Sequence, residues 1–157
     1  MKILITGGAG FIGSNLAKRL VNDGHSIVVL DSLLRGNKLD KITYSKVEFI
    51  KGDTRDLDVV ISASKNCDII FHFAAVLGVD IVADNPVETM DVEVIGTRNV
   101  VEAAFINNVK KIMYASTSGI YGHSAFESVL TEEVLVDPRT SYAMAKRYNE
   151  IYLASHH

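Results

Sequence analysis

Lys2-Ile3-Leu4-Ile5-Thr6-Gly7-Gly8-Ala9-Gly10-Phe11-Ile12-Gly13-Ser14 is the stretch on which the fold of this chain turns. Five strand-forming residues run into glycines, and an apolar helical pattern follows. The glycines read as G-x-G-x-x-G on Gly8, Gly10 and Gly13, and as G-x-x-G-x-x-G on Gly7, Gly10 and Gly13. Glycine in such a turn tolerates positive φ, lets backbone approach a pyrophosphate, and permits close packing, while the helix N-terminus offers free N–H groups to the anion. Asp31 closes the next apolar run, about 20 residues further on, where an acid can accept from a ribose 2′-hydroxyl. That context points to a dinucleotide cradle. A mononucleotide P-loop shares the G-x-x-x-x-G spacing from Gly8 to Gly13, but Ser14 follows directly with no lysine for the β/γ-phosphates. The Asp31 carboxylate would repel a 2′-phosphate, which argues for NAD over NADP; Arg35, four residues later, could soften that preference but reads first as a solvated loop charge.

Outward from the turn, short β-branched runs alternate with longer helical patterns, the signature of βαβ units and a parallel sheet. Runs at Lys2 to Thr6, Ser26 to Asp31, Val47 to Lys51, Asp68 to His72 and Lys110 to Ala115 are near-continuously apolar, as strands covered on both faces must be. A helix is expected from about Gly10 to Asn22, with Ile12, Leu16 and Leu20 on one face and Asp23-Gly24 supplying its cap. A second begins at Asn85-Pro86-Val87-Glu88, where Asn85 can cap and Glu88 can reach back, and runs to about Asn107. Gly96 inside it marks either a close packing partner or ligand, or a tolerated glycine. A last helix starts near Ser141 and continues to the chain end. The fold class is α/β, a Rossmann-like doubly wound parallel sheet of order 3-2-1-4-5, with the dinucleotide above strands one and four.

With 157 residues, 48% hydrophobic and 22% charged, the chain can bury an unstapled core. A net charge of −3 leaves no electrostatic footprint for nucleic acid or an anionic membrane. The apolar start is too short for a signal peptide or a membrane span. Cys67, the one cysteine, excludes a disulfide framework and fits a reducing cytoplasm; an inert thiol is expected. No metal site is expected.

The chemistry-bearing residues lie late in the chain. Ser116-Thr117-Ser118-Gly119-Ile120-Tyr121-Gly122 follows the fifth strand, and Tyr142 and Lys146 share one face of the last helix. A neighbouring ammonium together with a cationic nicotinamide would lower a tyrosine pKa from about 10 toward the working range, and a loop hydroxyl could bond the reacting oxygen. His72 is expected as a core histidine bonded to backbone and His123 as a solvated residue; His156-His157 decide nothing.

Thr6 to Ser14, Asp31, Gly52-Asp53, His72 to Ala75, Gly96-Thr97, the turn at Thr117, and Tyr142 with Lys146 together resemble the N-terminal part of an extended short-chain dehydrogenase/reductase of the NAD-dependent epimerase/dehydratase family. The resemblance implies that Gly7, Gly10, Phe11, Ile12 and Gly13 line the pyrophosphate, and that Asp31 and Ser32 hold the adenosine ribose. It implies that Asp53 and Thr54 meet the adenine and that Phe73, Ala74 and Ala75 pass under the cofactor. Thr117, Tyr142 and Lys146 would form the active triad, the last two also touching the cofactor. Tyr142 would remove a sugar hydroxyl proton as hydride leaves for NAD, and a 4-keto sugar would take hydride back on either face.

The related 4,6-dehydratases carry an Asp-Glu pair after the catalytic threonine, and the decarboxylases are similar in keeping the Glu; Ser118 and Gly119 stand there instead. The resemblance therefore favours a nucleotide-sugar 4-epimerase of the UDP-galactose type, or a 4-keto reductase. Glu93 stands where the family usually has Asn, as a substrate-side or structural acid. The family's later strands and substrate lobe do not fit in the eleven positions after Lys146, so residues 1–157 are expected to form an incomplete NAD-binding domain with weak NAD binding and slow or absent turnover. The other readings are a non-catalytic NAD-binding fragment and an NAD-sensing interaction module. The resemblance also implies a homodimer through the helices starting at Pro86 and Ser141.

Overall fold

In the computed structural model, which describes residues 1–76, 83–124 and 129–156, the chain divides into two compact units. The first comprises Met1–Ala75 and Ile95–Ala115; the second comprises Val76–Val94 and Ser116–His157.

The first unit holds a parallel sheet of β1 (Lys2–Thr6), β2 (Ser26–Asp31), β3 (Glu48–Lys51), β4 (Ile69–His72) and β5 (Lys111–Tyr114), ordered β3-β2-β1-β4-β5 as expected. Register aligns Leu4 with Val28 and Ile70, so alternate residues sort into two cores. Leu4, Val28, Leu30 and Ile70 pack with Val60 and Ala63 of α3 (Leu57–Ser64) and with Val100, Ala103 and Ala104 of α4 (Pro86–Ile106). Ile3, Ile5, Ile27 and Val29 pack on the opposite face with Ala17, Leu16 and Leu20 of α1 (Phe11–Asn22). A period of two on a sheet covered on both sides gives this division. A short helix, α2 (Lys41–Tyr44), precedes β3. Cover on both faces, expected of all five strands, fails at β5: its burial alternates, and Met113 is 44% exposed. Among the described residues β5 pairs with β4 alone.

The second unit holds the early turns of α4, a 3₁₀ turn at Ser118–Tyr121, and α5 (Ser141–Ala154). Thr140 caps α5 by accepting from the Ala143 amide at 3.1 Å. The helix stops at Ala154, short of the chain end, and His157 lies outside the described residues. Among the described residues no helix is long and apolar enough to cross a membrane.

Candidate active site

The glycine turn belongs to the first unit. Gly7 has φ +67°, and a Cβ there would come within 2.7 Å of Ala74 N and Phe73 O. Gly7 donates to Leu30 O at 2.8 Å and accepts from Gly10 N at 3.1 Å, fixing the turn between β1 and β2. Gly10 caps α1 without a side-chain acceptor, and the first turn of α1 carries no acid. The helix therefore presents its leading N–H groups uncapped, an arrangement suited to an anion. Phe11 and Ile12, 74% and 61% exposed, flank that N-terminus. Asp31 stands beside it with both oxygens engaged: Oδ2 accepts from Ala9 N at 2.9 Å and Oδ1 from Leu33 N at 2.8 Å. Each oxygen keeps a lone pair for a further donor. Ser32 is exposed next to it. A turn that a side chain would fill, free amides and a half-saturated carboxylate fit a dinucleotide's pyrophosphate and ribose.

Strand β4 ends under this turn. Phe73 N donates to Thr6 O at 3.0 Å and Ala74 N to Thr6 Oγ1 at 3.2 Å; Ala75 follows, half-buried. His72 is buried as expected, but threonine hydroxyls hold its ring: Thr6 Oγ1 lies 2.6 Å from Nδ1 and Thr97 Oγ1 lies 3.0 Å from Nε2. Asp53 binds the Arg55 guanidinium at 2.6 Å, which holds its carboxyl below the usual range. Thr54 is 4% exposed and fills the space over Gly96, where a Cβ would meet Thr54 Oγ1 at 2.6 Å. The close-partner reading of Gly96 is the correct one. Gly96→Ala should destabilise the chain by about 1–2 kcal/mol, the clash outweighing the helix-propensity gain of about 1 kcal/mol. Adding Thr54→Ala removes the obstructing hydroxyl and should restore the melting temperature, which a thermal unfolding series would show.

Thr117, Tyr142 and Lys146, the residues expected to form a triad, belong to the second unit. Thr117 caps the 3₁₀ turn, its hydroxyl oxygen accepting from Gly119 N at 3.2 Å. A Cβ at Gly119 would lie 3.6 Å from Ala143 Cβ, so the turn carrying Thr117 packs on the first turn of α5. Lys146 Nζ lies 5.5 Å from the Tyr142 ring centroid. Lys146 is nonetheless 1% exposed and its ammonium meets Glu93 Oε2 at 3.0 Å, with Glu93 also 1% exposed. The expected fall of the Tyr142 pKa does not occur in the chain by itself. Burial first, and the Glu93 carboxylate second, push the phenol up to about 12. The lysine's charge is largely met by Glu93, which leaves desolvation to dominate.

Residues 3–157 match the family described as the NAD dependent epimerase/dehydratase family. The chain belongs to that family. Among curated relatives, the UDP-glucose 4-epimerase of Mycolicibacterium smegmatis is 38% identical over 158 residues, covering 98% of this chain and 50% of its own length. The UDP-N-acetyl-alpha-D-glucosaminuronate decarboxylase of Bacillus cytotoxicus is 37% identical over 122 residues, covering 77% of this chain and 38% of its own. Among solved structures, the UDP-glucose 4-epimerase of Thermus thermophilus in complex with NAD superposes with a TM-score of 0.88 at 33% identity, covering 99% of this chain and 50% of that one. The chain thus spans about half the length of the epimerases it matches.

Within this family chain, the structure brings Gly7 against Phe73 and Ala74, and Asp31 against the glycine turn through Ala9. It also places Lys146 beside Tyr142 on α5. Three contacts escaped the sequence. The double engagement of Asp31 depends on the conformation of the loop after β2, where Leu33 has φ 63°. Asn99 Nδ2 donates to Thr54 O and Arg55 O at 2.9 and 2.8 Å, a long-range bond with no periodic signature. The Glu93–Lys146 pair joins residues on two helices; its one local sign is a lone acid on a stripe that is otherwise buried by small and apolar residues. Among the described residues, no group of three or more His, Cys, Asp or Glu could hold a metal ion. Burial pushes the Cys67 thiol up to about 11, well away from reactivity at neutral pH.

Proposed function

We propose that residues 1–157 form the NAD-binding and proton-transferring part of a nucleotide-sugar 4-epimerase, with UDP-sugars as substrates. The observation that carries this is the glycine turn closed to side chains at an uncapped helix N-terminus, with Asp31 fastened to it. Gly7, Gly10, Phe11, Ile12 and Gly13 present backbone to the pyrophosphate. Asp31 and Ser32 accept from the adenosine ribose, Asp53 and Thr54 border the adenine, and Phe73, Ala74 and Ala75 form the floor. NAD, when bound, supplies a reversible hydride acceptor. Tyr142 takes the proton of the sugar hydroxyl and returns it, Lys146 biases the phenol toward giving up its own, and the Thr117 hydroxyl bonds the same sugar oxygen. Ser118 and Gly119 supply no carboxyl for elimination, which favours epimerisation over dehydration; a 4-keto reductase uses the same residues. The family relationship and a buried free thiol support a cytoplasmic enzyme. Exposed Val87 and Met90 on α4 and Met144, Tyr148 and Ile151 on α5 support a homodimer.

Because the relatives are about twice as long, the 157-residue polypeptide by itself should bind NAD weakly and turn over slowly or not at all. A second reading, NAD binding without turnover, draws support from the Tyr142 phenol at about 12 and the buried Lys146–Glu93 pair. Calorimetric titration with NAD tests the cradle: Asp31→Ala, checked for folding by thermal melting, should bind at least about tenfold more weakly, as expected for lost bonds to a charged group. Equal affinity refutes the cradle. Incubation with NAD and UDP-galactose, followed by detection of UDP-glucose, separates slow epimerisation from binding alone.

A further inference from the structure

Glu93 is the one carboxylate in the buried set of the described residues. An ionised acid taken out of water needs a partner, since its desolvation outweighs any single hydrogen bond. The groups that face it are Lys146 and Tyr142 from α5 and the Val76 backbone amide from the stretch ahead of α4. Asn149 Nδ2, also on α5, donates to the Glu93 backbone carbonyl at 2.9 Å and so holds that turn of α4 against α5. Glu93 is therefore fixed from both its backbone and its carboxylate to the helix that bears the reactive residues.

We propose that Glu93 is a positioning residue for the Tyr142–Lys146 pair: its carboxylate anchors the Lys146 ammonium and withholds part of that charge from the Tyr142 phenol. The inference rests on the reading of those two residues as the reactive pair. The geometry gives the direction. An isolated ammonium 5.5 Å from the ring would favour phenolate. With a carboxylate 3.0 Å from the same nitrogen, the phenol faces a compact dipole, and the negative end opposes ionisation. Burial first and then the Glu93 carboxylate raise the phenol. Glu93 thus sets how far other positive charge must act before Tyr142 can serve as a base.

Ultraviolet titration of the full chain at the tyrosinate band, with the Tyr142→Phe chain subtracted to remove the other five tyrosines, reads the phenol directly and needs neither NAD nor sugar. Glu93→Gln should lower the Tyr142 titration by up to about one pH unit, since burial is the larger cause of its rise. An unchanged or higher titration overturns the proposal. Should Glu93→Gln fail to fold, Lys146→Met is compared with the Lys146→Met/Glu93→Gln double variant. The phenol should titrate higher in the variant that keeps the carboxylate, and equal titrations overturn the proposal. The catalytic reading is judged separately. If Glu93 moves the phenol while Tyr142→Phe leaves UDP-galactose turnover intact, the charge relation stands and the assignment of the reactive pair falls.

Discussion

Gly13→Ala is expected to lower the unfolding free energy by about 3 kcal/mol and to abolish measurable NAD binding. A Cβ at Gly13 would lie 2.6 Å from Gly8 Cα and still closer to the Gly7 carbonyl oxygen. Both obstacles are backbone, so no side-chain rotation relieves them; the turn itself must open. For a domain of this size the melting temperature should fall by about 10 °C. Gly10→Ala provides the contrast, because a Cβ there meets only Gly7 O, at 3.2 Å. That variant should melt within a few degrees of the parent while still losing NAD affinity, since the added methyl stands at the helix N-terminus. Circular-dichroism melts and calorimetric titrations of the two variants separate a packing glycine from a ligand-facing one. A Gly13→Ala chain with unchanged melting temperature would show that the turn has slack.

Lys146→Met should cost about 3–5 kcal/mol at neutral pH, because Glu93 is left buried without its countercharge. The loss should be pH-dependent, with a definite sign. Folded Glu93 already holds its proton more tightly than the ordinary carboxyl value of 4.5, because burial outweighs the opposing pulls of Lys146 and the Val76 amide. Between 4.5 and the raised folded value, the native state carries the extra proton, so stability rises as pH falls through that window and declines as pH rises. Removing Lys146 takes away the largest lowering influence and extends the window upward. Asp40, Asp53 and Asp68, whose carboxyls are lowered by their partners, act in the opposite sense in both proteins. The difference between variant and parent therefore isolates Glu93: it should shrink from about pH 8 to about pH 5 in denaturant unfolding. A difference that stays constant or grows on acidification would show that Glu93 is not the stranded charge.

The sheet was legible because its strands are short apolar runs separated by turn signals, and the order follows from Gly7 to Gly13 opening the first βα unit. The boundaries moved by about one residue, as at Val47, Asp68 and Lys110, which lie just outside their strands. Helix α3 was not legible. Leu57 to Ile61 contains three β-branched residues, yet Asp56 caps the segment through Val59 N, and Val60 and Ala63 are buried against the sheet. Tertiary burial there overrides local preference. The spacing of Tyr142 and Lys146 announced a shared helix face, but not the field at the phenol, which is set by Glu93, about 50 positions earlier. Electrostatics of this kind depends on distance and burial in space, and neither is written in local periodicity.

Asp31 carries a consequence beyond affinity. Its two oxygens join the amides of Ala9 and Leu33, so a single side chain pins the loops after β1 and β2 before any ligand arrives. Its rotamer is chosen during folding, and the entropy of ordering it does not burden association. On the proposed reading, an incoming ribose diol would meet a carboxylate whose approach directions are already reduced to those the two amides leave open. Recognition at this corner would then be a matter of trajectory as much as of charge.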